Sequence, residues 1–551
     1  HLNHIHEIQD NYMKAKSLAQ EVNRRRTFAI ISHPDAGKTT ITEKLLLYGG
    51  AIREAGSVKA RKSSHHATSD WMEIEKQRGI SVTSSIMQFE YEGYCVNILD
   101  TPGHQDFSED TYRTLCAADA AVMLIDGAKG VEPQTIKLFH VCRMRGIPIF
   151  TFINKMDRAS LSPFELLDQL EKVLNIDSFP INWPIGTDGN FKGVYNRQLK
   201  QVQRFIADGT HGSKQVNIAL TDLNDPELTA LIGADHQQQI SDEIELLDIA
   251  GEDFEMERVL QGELTPVFFG SAITNFGVEP FLQDFLKMAP PPGAKKVNSG
   301  SETIQPTDEE FSAFVFKIQA NMNPGHRDRM AFIRICSGHF KKGLEVTNNR
   351  DNKLIRLTQP QTFMAQDHRI LEEAYAGDII GIFDPGVLRI GDSLYTGDNS
   401  IEFGDIPRFS PEHFAKVQPK NSLKRKQFNK GMEQLAQEGA IQLYKRPDAG
   451  TESYMVGVVG VLQFDVLEHR LNNEYKVDII LQPENYRFAR WISFKDRQLM
   501  HGEAPDDLNL TSTTLTVMDR HDLPVLLFES QWAMDWALER NEGLILSDIN
   551  T

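Results

Sequence analysis

The stretch TFAIISHPDAGKTT, residues 27–40, decides the fold of the first part of the chain. It opens with β-branched, aromatic and small residues, which predict a buried strand. A tight polar turn follows. The segment Lys38 to Tyr48 then places Ile41, Leu45 and Tyr48 at i, i+4 and i+7, which predicts a helix with one apolar face. A strand that turns directly into a helix is the first half of a βαβ unit.

The same alternation continues along the first half of the chain. Further short apolar runs predict strands at 95–100, 120–125, 149–153 and 267–269, with helical patterns between them. This alternation predicts a parallel sheet covered by helices. Residues 186–262 break the rhythm, and we predict that they form an insertion in the same domain.

The pattern changes after the proline run at 290–293. Short strands separated by glycine turns follow, which is typical of a small β-barrel. From residue 410 onwards helices and strands mix, with helices expected at 430–438, 463–471 and 531–539. We therefore predict three domains. They are an α/β domain at 1–295, a β-barrel domain II at 305–407 and an α+β domain III at 410–551.

Composition excludes several classes of protein. The chain has 551 residues and a formal net charge of −19, which argues against a uniformly basic surface for nucleic acid but leaves room for a local basic patch. Four cysteines without a C-x-x-C pair favour reduced thiols in a cytoplasmic protein. No apolar stretch is long enough to span a bilayer. Residues 1–6 start without Met and are excluded from the fold argument.

The turn after the first strand has the character of a phosphate-binding P-loop. Successive backbone N–H groups and the start of a helix hold phosphates in such loops. Lys38 would reach the β- and γ-phosphates, and the Thr39 hydroxyl would bind Mg²⁺. Ser32 stands where the usual motif has its first glycine, and a plain strand–turn–helix corner is the alternative. The predicted phosphate-binding residues are Ser32, His33, Pro34, Asp35, Ala36, Gly37, Lys38, Thr39 and Thr40.

A second motif, Asp100-Thr101-Pro102-Gly103-His104, ends the next parallel strand. Asp100 lies at the sheet edge where it would hold Mg²⁺ through water, and the Gly103 N–H would contact a γ-phosphate. His104 would orient the attacking water, because phosphoryl transfer gains most from positioning and charge. The alternative is a strand-terminating turn, since this composition is common in turns.

The third motif, Asn154-Lys155-Met156-Asp157, predicts which base the bound nucleotide carries. Asp157 would accept hydrogen bonds from the two adjacent N–H donors of guanine, which adenine lacks, so an unpaired carboxylate would reject ATP. Lys155 would pack its stem over the base. Small residues at the end of a later strand would let a backbone N–H approach the guanine O6. The predicted base-binding residues are Asn154, Lys155, Met156, Asp157, Ser271 and Ala272.

Two polar stretches remain. The loop at 75–83 contains Ser81, whose hydroxyl would join Mg²⁺ only when the γ-phosphate is present, which predicts a nucleotide-dependent switch. Residues 416–430 hold six basic and no acidic residues. Such a run fits phosphates of RNA, and a solvated helix start is the equally weighted alternative.

Taken together, these motifs resemble translational GTPases, and within them the bacterial peptide chain release factor 3 family. The resemblance spans almost the whole chain. It rests on RRTFAIISHPDAGKTT (25–40), SDWMEIEKQRGIS (69–81), DFSEDTYR (106–113), FVFKIQANM (314–322), HRDR (326–329) and VGVVGVLQFD (456–465).

The resemblance implies a multidomain fold: an α/β P-loop GTPase domain, then a β-barrel domain and an α+β domain. It implies a ribosome-stimulated GTPase that uses GTP, GDP and Mg²⁺ and promotes departure of codon-reading release factors in translation termination. Lys38, Gly103 and His104 would be the catalytic residues, and Thr39, Ser81 and Asp100 the metal ligands. The implied partners are the ribosome, with large-subunit RNA near the GTPase domain, and release complexes, but no membrane or DNA. We expect a cytoplasmic monomer.

Three rival functions remain at this stage. Translocation like that of elongation factor G is disfavoured, because the given length leaves no room for its two further domains. A GTP-dependent RNA-binding module without hydrolysis is the alternative from another class. A P-loop kinase is disfavoured, because Asp157 selects guanine and no acceptor-substrate signature appears.

Overall fold

The structure is a computed structural model. It describes residues 17–50, 85–101, 108–186, 191–206, 217–320, 329–358, 361–363, 368–370, 372–404, 406, 408–447 and 454–550. Ser81, Pro102, Gly103 and His104 lie outside the described residues.

The first part of the chain forms a twisted α/β sheet and a smaller antiparallel sheet. Seven strands have the order β2-β3-β1-β4-β5-β11-β6; β2 and β3 pair antiparallel and the other neighbours pair parallel. The strands are β1 (Arg25–Ser32), β2 (Ser85–Tyr91), β3 (Tyr94–Asp100), β4 (Ala120–Asp126), β5 (Ile149–Asn154), β6 (Asp177–Pro180), β7 (Asn182–Ile185), β8 (Gly193–Asn196), β9 (Gln201–Ile206), β10 (Asn217–Thr221) and β11 (Leu264–Phe269).

Helices cover both faces of the seven-stranded sheet. One apolar core lies on each face, and β1 contributes alternate residues to both, with Ala29 and Ile31 on one face and Phe28 and Ile30 on the other. The helices are α1 (Lys38–Tyr48), α2 (Ser108–Cys116), α3 (Pro133–Met144), α4 (Pro163–Leu174), α5 (Pro226–Ile232), α6 (Ala234–Ala250), α7 (Met256–Leu260) and α8 (Val278–Met288).

Local sequence explains where these helices start. Helix α4 has Pro163 at its first position, and the hydroxyl of Ser162 accepts a hydrogen bond from the Glu165 backbone N–H at 3.1 Å. Helix α1 begins differently, because Gly37 precedes it at φ 101° and offers no side-chain cap. The first amides of α1 therefore have no partner from a capping side chain.

The segment at 186–262 departs from the parallel sheet, and its assignment as an insertion remains a prediction. Strand β7, just before it, and strands β8 to β10 form a four-stranded antiparallel sheet in the order β10-β9-β8-β7. Helix α6 buries Ile240, Ile244 and Leu247 against the core of the main sheet.

The second part of the chain is almost entirely antiparallel strand. Eight strands form one curved sheet in the order β18-β17-β23-β14-β15-β22-β19-β20 around a separate apolar core. The helical stretch at 17–23 contributes Leu18 and Val22 to this core. The strands are β12 (Lys295–Val297), β13 (Glu302–Ile304), β14 (Ser312–Ala320), β15 (Arg329–Ser337), β16 (His339–Lys341), β17 (Glu345–Asn348), β18 (Lys353–Arg356), β19 (Gln361–Phe363), β20 (His368–Ile370), β21 (Glu373–Tyr375), β22 (Ile379–Asp384) and β23 (Ser393–Tyr395).

The third part combines an eight-stranded sheet with three helices. The sheet order is β28-β25-β27-β26-β30-β31-β29-β32, and β24 pairs with β33. The elements are β24 (Arg408–Phe409), β25 (His413–Pro419), α9 (Arg425–Gln437), β26 (Gln442–Lys445), β27 (Tyr454–Val458), α10 (Leu462–Tyr475), β28 (Ile479–Glu484), β29 (Phe488–Phe494), β30 (Leu515–Asp519), β31 (Pro524–Phe528), α11 (Gln531–Arg540), β32 (Leu544–Ser547) and β33 (Ile549–Asn550).

The predicted order of an α/β, a β-rich and an α+β part is confirmed. The predicted start of helix α9 at Lys430 is wrong, because the helix begins at Arg425. The buried residue Phe428 begins the apolar period of this helix two residues before the predicted start, and only Arg425, Lys426 and Gln427 before it are polar. All four cysteines are free. Among the described residues, no helix is long and apolar enough to cross a membrane.

Candidate functional site

The predicted P-loop lies at the carboxyl edge of the sheet, between β1 and α1. Asp35 at φ 68° and Gly37 at φ 101° turn the backbone sharply. A Cβ on Gly37 would lie 2.3 Å from Nδ2 of Asn154, so only glycine fits this close approach. The loop is also tied to α3, since the His33 backbone N–H donates to the Thr135 hydroxyl at 3.1 Å. The loop is thus a fixed bend that ends at an uncapped helix N-terminus, where phosphates bind well.

Two buried groups at this bend, Lys38 and Asp100, form an ion pair with Nζ 3.1 Å from Oδ1, and both side chains are under a tenth exposed. Neither atom makes a well-directed hydrogen bond, and the buried Oγ of Ser32 has no hydrogen-bond partner among the described residues. Buried polar groups normally make such bonds, so this incomplete hydrogen bonding indicates a site for a polar ligand. A cation, a carboxylate and the nearby half-buried Thr39 fit a phosphate chain with Mg²⁺. The residues present therefore fit GTP and its metal.

The predicted base-binding loop is bonded directly to the P-loop. Asn154 ends β5, and its side-chain amide donates to the Ala36 carbonyl at 2.9 Å. Its Oδ1 accepts from the Ala272 backbone N–H at 2.8 Å. Nζ of Lys155 donates to the Asp35 carbonyl at 2.5 Å and to Asp126 Oδ2 at 2.7 Å. One asparagine and one lysine thus bring three predicted stretches into a single pocket.

Asp157 occupies the end of this loop and keeps part of its carboxylate available. Its Oδ1 accepts a hydrogen bond from the Ser271 hydroxyl at 2.6 Å. The other oxygen lies 3.8 Å from Nε of Arg158, and the side chain is about one fifth exposed. Ser271 therefore orients the carboxylate, while Oδ2 remains able to accept hydrogen bonds from a base.

Two residues predicted to contact the base, Met156 and Ala272, make contacts that stabilise the fold itself. Met156 is fully buried in the main apolar core, so only its backbone borders the pocket. The Ala272 N–H is engaged by Asn154. Thr101 is similar, because its buried hydroxyl donates to the Ile30 carbonyl at 2.7 Å and anchors the end of β3 to β1.

Sequence reasoning missed Asp126, the residue that holds Lys155. Asp126 ends β4 just as Asp100 ends β3, so an acidic residue at the carboxyl end of a parallel strand was the available signal. Burial acts to raise its pKa, but hydrogen bonds from Lys155 and the Ala128 N–H together hold the pKa of Asp126 below its usual value. The carboxylate stays ionised and fixes the lysine stem in place.

Helix α2 starts directly after the second motif and contacts both later parts of the chain. Nη2 of Arg113 donates to the Gly439 carbonyl at 2.9 Å. Just beyond the helix, Nη2 of Arg334 on β15 lies 3.0 and 2.9 Å from the two carboxylate oxygens of Asp119. Arg334 Nη1 also donates to the Ala117 carbonyl. The segment that follows the γ-phosphate motif is therefore held by both neighbouring parts.

A second buried ionic contact joins the strands of the main sheet to the β-rich part. Nε of Arg25 lies 2.9 Å from Asp378 Oδ1. The same oxygen accepts from the side-chain amides of Gln88 and Asn97, each at 3.1 Å. Strands β1, β2 and β3 therefore all contact one turn of the β-rich part through a single carboxylate.

Comparisons with known proteins agree with this geometry. Three family models match in succession: the elongation factor Tu GTP binding domain at 23–291, elongation factor G domain 2 at 310–397, and the C-terminal domain of class II release factor RF3 at 403–538. In fold, the chain is similar to a crystal structure of a protein from Thermus thermophilus, with a TM-score of 0.65 and 24% identity, covering 86% of this chain and 70% of the other.

Relatives of nearly equal length are similar in sequence. The peptide chain release factor 3 of Symbiobacterium thermophilum is 56% identical over 529 residues, covering 96% of this chain and 98% of that protein. The protein of the same name from Macrococcus caseolyticus is 52% identical over 524 residues, covering 95% and 98%. That of Listeria monocytogenes EGD-e is 52% identical over 543 residues, covering 97% and 100%.

Proposed function

We propose, because the chain belongs to the peptide chain release factor 3 family, that it promotes the dissociation of codon-reading release factors from the ribosome after peptide release. At the coarser level the chain is a translation termination GTPase that binds guanine nucleotides and hydrolyses GTP. The observation that carries the proposal is Asn154, which bonds the phosphate-binding loop to the base-binding loop in one pocket.

At the phosphate end, the backbone from Ser32 to Thr40 and the uncapped start of α1 bind the nucleotide phosphates. Lys38 contacts the β- and γ-phosphates, and the position of its buried Nζ, 3.1 Å from Asp100 at the end of the loop and without a well-directed hydrogen bond, supports this role. Thr39 and Asp100 would hold Mg²⁺, Asp100 through a water, and Ser81 would add a hydroxyl when the γ-phosphate is present. Mg²⁺, when bound, neutralises the charge on the phosphate oxygens.

At the base end, Asp157 accepts from the two adjacent guanine donors while Ser271 holds its other oxygen. Lys155 packs over the base, and its αL backbone at φ 67° and its contact with Asp126 support a fixed stem. Adenine would leave the carboxylate unpaired and would be rejected. Asn154 and the backbone of Met156 and Ala272 complete this wall of the pocket.

Hydrolysis requires an oriented water at the γ-phosphate. Gly103 contacts the γ-phosphate through its N–H, and His104 orients the attacking water. Their place in the chain supports this assignment, because they follow Asp100 within four residues and β3 pairs parallel with β1 beside the P-loop. Large-subunit RNA positions His104, so the ribosome stimulates turnover. The catalytic residues of this proposal are Lys38, Gly103 and His104.

The cellular setting follows from the same proposal. The chain acts as a cytoplasmic monomer on ribosomes that carry a codon-reading release factor. GTP binding sets the conformation that drives this factor out, and hydrolysis lets the chain leave. The predicted domain bounds, 1–295, 305–407 and 410–551, remain predictions.

The test is GTP turnover on ribosomes stalled after peptide release, with departure of a labelled release factor followed in parallel. We expect stimulation by the ribosome and departure that requires GTP. His104→Ala should keep GTP affinity and lose about 10²-fold or more of the stimulated turnover. The control is His140→Ala, since His140 is exposed on helix α3 of the same domain.

Unchanged turnover in His104→Ala would remove His104 from the mechanism. Stimulated turnover without departure of the release factor would refute the proposed role in termination while leaving the GTPase intact. Translocation activity in place of departure would assign the chain to the rival function.

A further inference from the structure

A cluster of cations surrounds the N-terminal end of helix α9. Lys420, Arg425, Lys426 and Lys430 are exposed and Lys424 is half-buried. We call these five residues the α9 basic surface. Leu423 lies among them and is 88% exposed, more than any other large apolar side chain in the described part of the chain. A basic surface on a chain with a net charge of −19 is a local feature that the overall charge does not explain.

These cations form no ion pairs within the described ranges of the chain. No described carboxylate pairs with Lys420, Arg425, Lys426 or Lys430. Lys424 donates only to the Lys476 carbonyl, at 2.5 Å. The nearest basic neighbour in sequence, Lys416, differs because it lies 3.2 Å from Glu484. Lys416, outside the α9 basic surface, therefore has an ion-pair partner within the chain, whereas the residues of that surface form no ion pair with a described carboxylate.

The arrangement is unfavourable for an isolated helix. The N-terminal end of a helix carries a partial positive charge and prefers acidic residues, yet the first turn of α9 has none and begins with Arg425 and Lys426. Lys426 and Lys430 also form a like-charge i, i+4 pair, which costs a few tenths of a kcal/mol. Helix α4, in contrast, has the expected Ser162 cap and Glu165. Violations of local rules are expected at functional sites.

The surface is nevertheless held rigidly. The opposite face of α9 buries Phe428, Met432 and Leu435 in the core of the third part. Asn421 caps the short 3₁₀ turn Ser422–Lys424, and its side chain accepts from the Leu423 backbone N–H at 3.0 Å. The cations are thus fixed at one end of a packed helix, which lowers the entropic cost of binding a partner.

From these contacts we propose that the α9 basic surface binds the phosphodiester backbone of RNA. Phosphates satisfy both the side-chain cations and the helix N-terminus, and Leu423 supplies an apolar contact for a ribose or a base. The inference rests on the proposed function only in naming ribosomal RNA as the source of those phosphates. Of the two alternatives for residues 416–430, it favours RNA binding over a solvated helix start, for the residues from Lys420 onwards.

The first test measures binding of the full chain, with a non-hydrolysable GTP analogue, to purified bacterial ribosomes from 50 to 200 mM salt. The variant is Arg425→Gln/Lys426→Gln/Lys430→Gln. In a plot of the logarithm of the binding constant against the logarithm of the salt concentration, each lost phosphate contact should lower the steepness of the slope by about one. Three phosphate contacts would make the wild-type affinity fall about 20- to 40-fold more between 50 and 200 mM salt than it would without them. The variant should lack this additional loss of affinity.

The matched control is Lys341→Gln/Lys342→Gln/Lys353→Gln, which removes the same charge from exposed positions of the β-rich part. Equal weakening by the control, or an unchanged salt dependence in the variant, would overturn the proposal. Unchanged intrinsic GTP affinity and thermal midpoint show that the variant is folded. Stimulation of the wild-type GTPase by the same ribosomes tests the proposed function separately, because it does not involve the variant.

The second test distinguishes RNA from protein as the partner. A photo-crosslinking amino acid in place of Gln427, which is exposed beside Lys426, is activated on the ribosome complex. Adducts with ribosomal RNA support the proposal. Adducts only with ribosomal proteins, or none, overturn it.

Discussion

The nucleotide pocket and the contact between the α/β and β-rich parts both contain a buried ion pair, but the two pairs differ in how fully they are hydrogen-bonded. In the pocket, Lys38 Nζ lies 3.1 Å from Asp100 Oδ1, and neither atom makes a well-directed hydrogen bond. At the contact, Arg334 is 1% exposed and reaches both oxygens of Asp119 as well as the carbonyls of Ile335 and Ala117. Burial of a charge alone therefore does not indicate a ligand site. The pocket is distinguished by incomplete hydrogen bonding at a sharp bend that precedes a helix N-terminus.

This difference separates residues that a ligand can engage from residues that fix the architecture. A buried ion pair with incomplete hydrogen bonding is costly, so it persists where a ligand supplies the missing interactions. A buried charge with all its partners holds two surfaces in one arrangement. The α9 basic surface is a third case, because four of its five cations are exposed and lose little hydration, and none of the five forms an ion pair with a carboxylate in the described part of the chain.

The largest expected effect is a change of base specificity when Asp157, the carboxylate proposed to bind guanine, is replaced. Asp157→Asn replaces an acceptor by a donor beside Ser271, so the pocket should prefer xanthosine triphosphate to GTP. The ratio of the two affinities should change by about 10⁴. Nucleotide titration measures it, with Asp168→Asn, an exposed aspartate on α4, as the control. Retained preference for GTP would refute the assignment of Asp157.

The next largest effect is expected at the fully hydrogen-bonded ion pair between Arg334 and Asp119. Arg334→Met leaves Asp119 buried without its partner and should cost about 3–5 kcal/mol in the free energy of unfolding. The double variant Arg334→Met/Asp119→Leu should recover much of that loss, because it removes both charges. Denaturant unfolding measures both.

The control for this prediction is Arg497→Met. Arg497 also contacts both oxygens of its partner Asp507, at 2.9 and 2.8 Å, but the pair is exposed, so its loss should lower the free energy of unfolding far less than loss of the buried pair. Equal losses at the buried and exposed pairs would show that burial is irrelevant to the difference.

A smaller effect is expected where helix α2 meets the third part of the chain. Gly439 has φ 75°, and a Cβ there would lie 2.1 Å from Nη1 of Arg113. Gly439→Ala should therefore lower stability by about 1–3 kcal/mol, through backbone strain and displacement of Arg113. Gly502→Ala is the matched control, because it has φ 80° and no atom within 4 Å. Equal losses would assign the whole effect to the backbone.

Sequence patterns predicted the helices and strands whose own residues show a clear apolar period or run. Helix α1 begins and ends at the predicted residues, because an apolar period starts after Gly37 and stops before Gly49. The predicted fold class is confirmed, as is binding of guanine nucleotides. The predicted phosphate and base motifs lie close together because each follows a buried strand and parallel strands end at one edge of the sheet; their binding roles remain predictions.

Other features carry no local signal. Arg334 and Asp119 are 215 positions apart, so nothing near either residue indicates their pairing. Helix α9 starts three residues before Phe428, the first residue of its apolar period, and these three residues are polar or basic and carry no apolar signal. The roles of Ser81, Gly103 and His104 stay predictions, because these residues lie outside the described part of the chain.

The central claim is that the bonded pair of loops forms a pocket that selects guanine nucleotides. Calorimetric titration of the full chain in excess Mg²⁺ with GTP, GDP and ATP tests it most directly. The account predicts one site per chain for GTP and GDP, with ATP binding at least about 10⁴-fold weaker. Equal binding of ATP and GTP, or no binding of either guanine nucleotide, would contradict it.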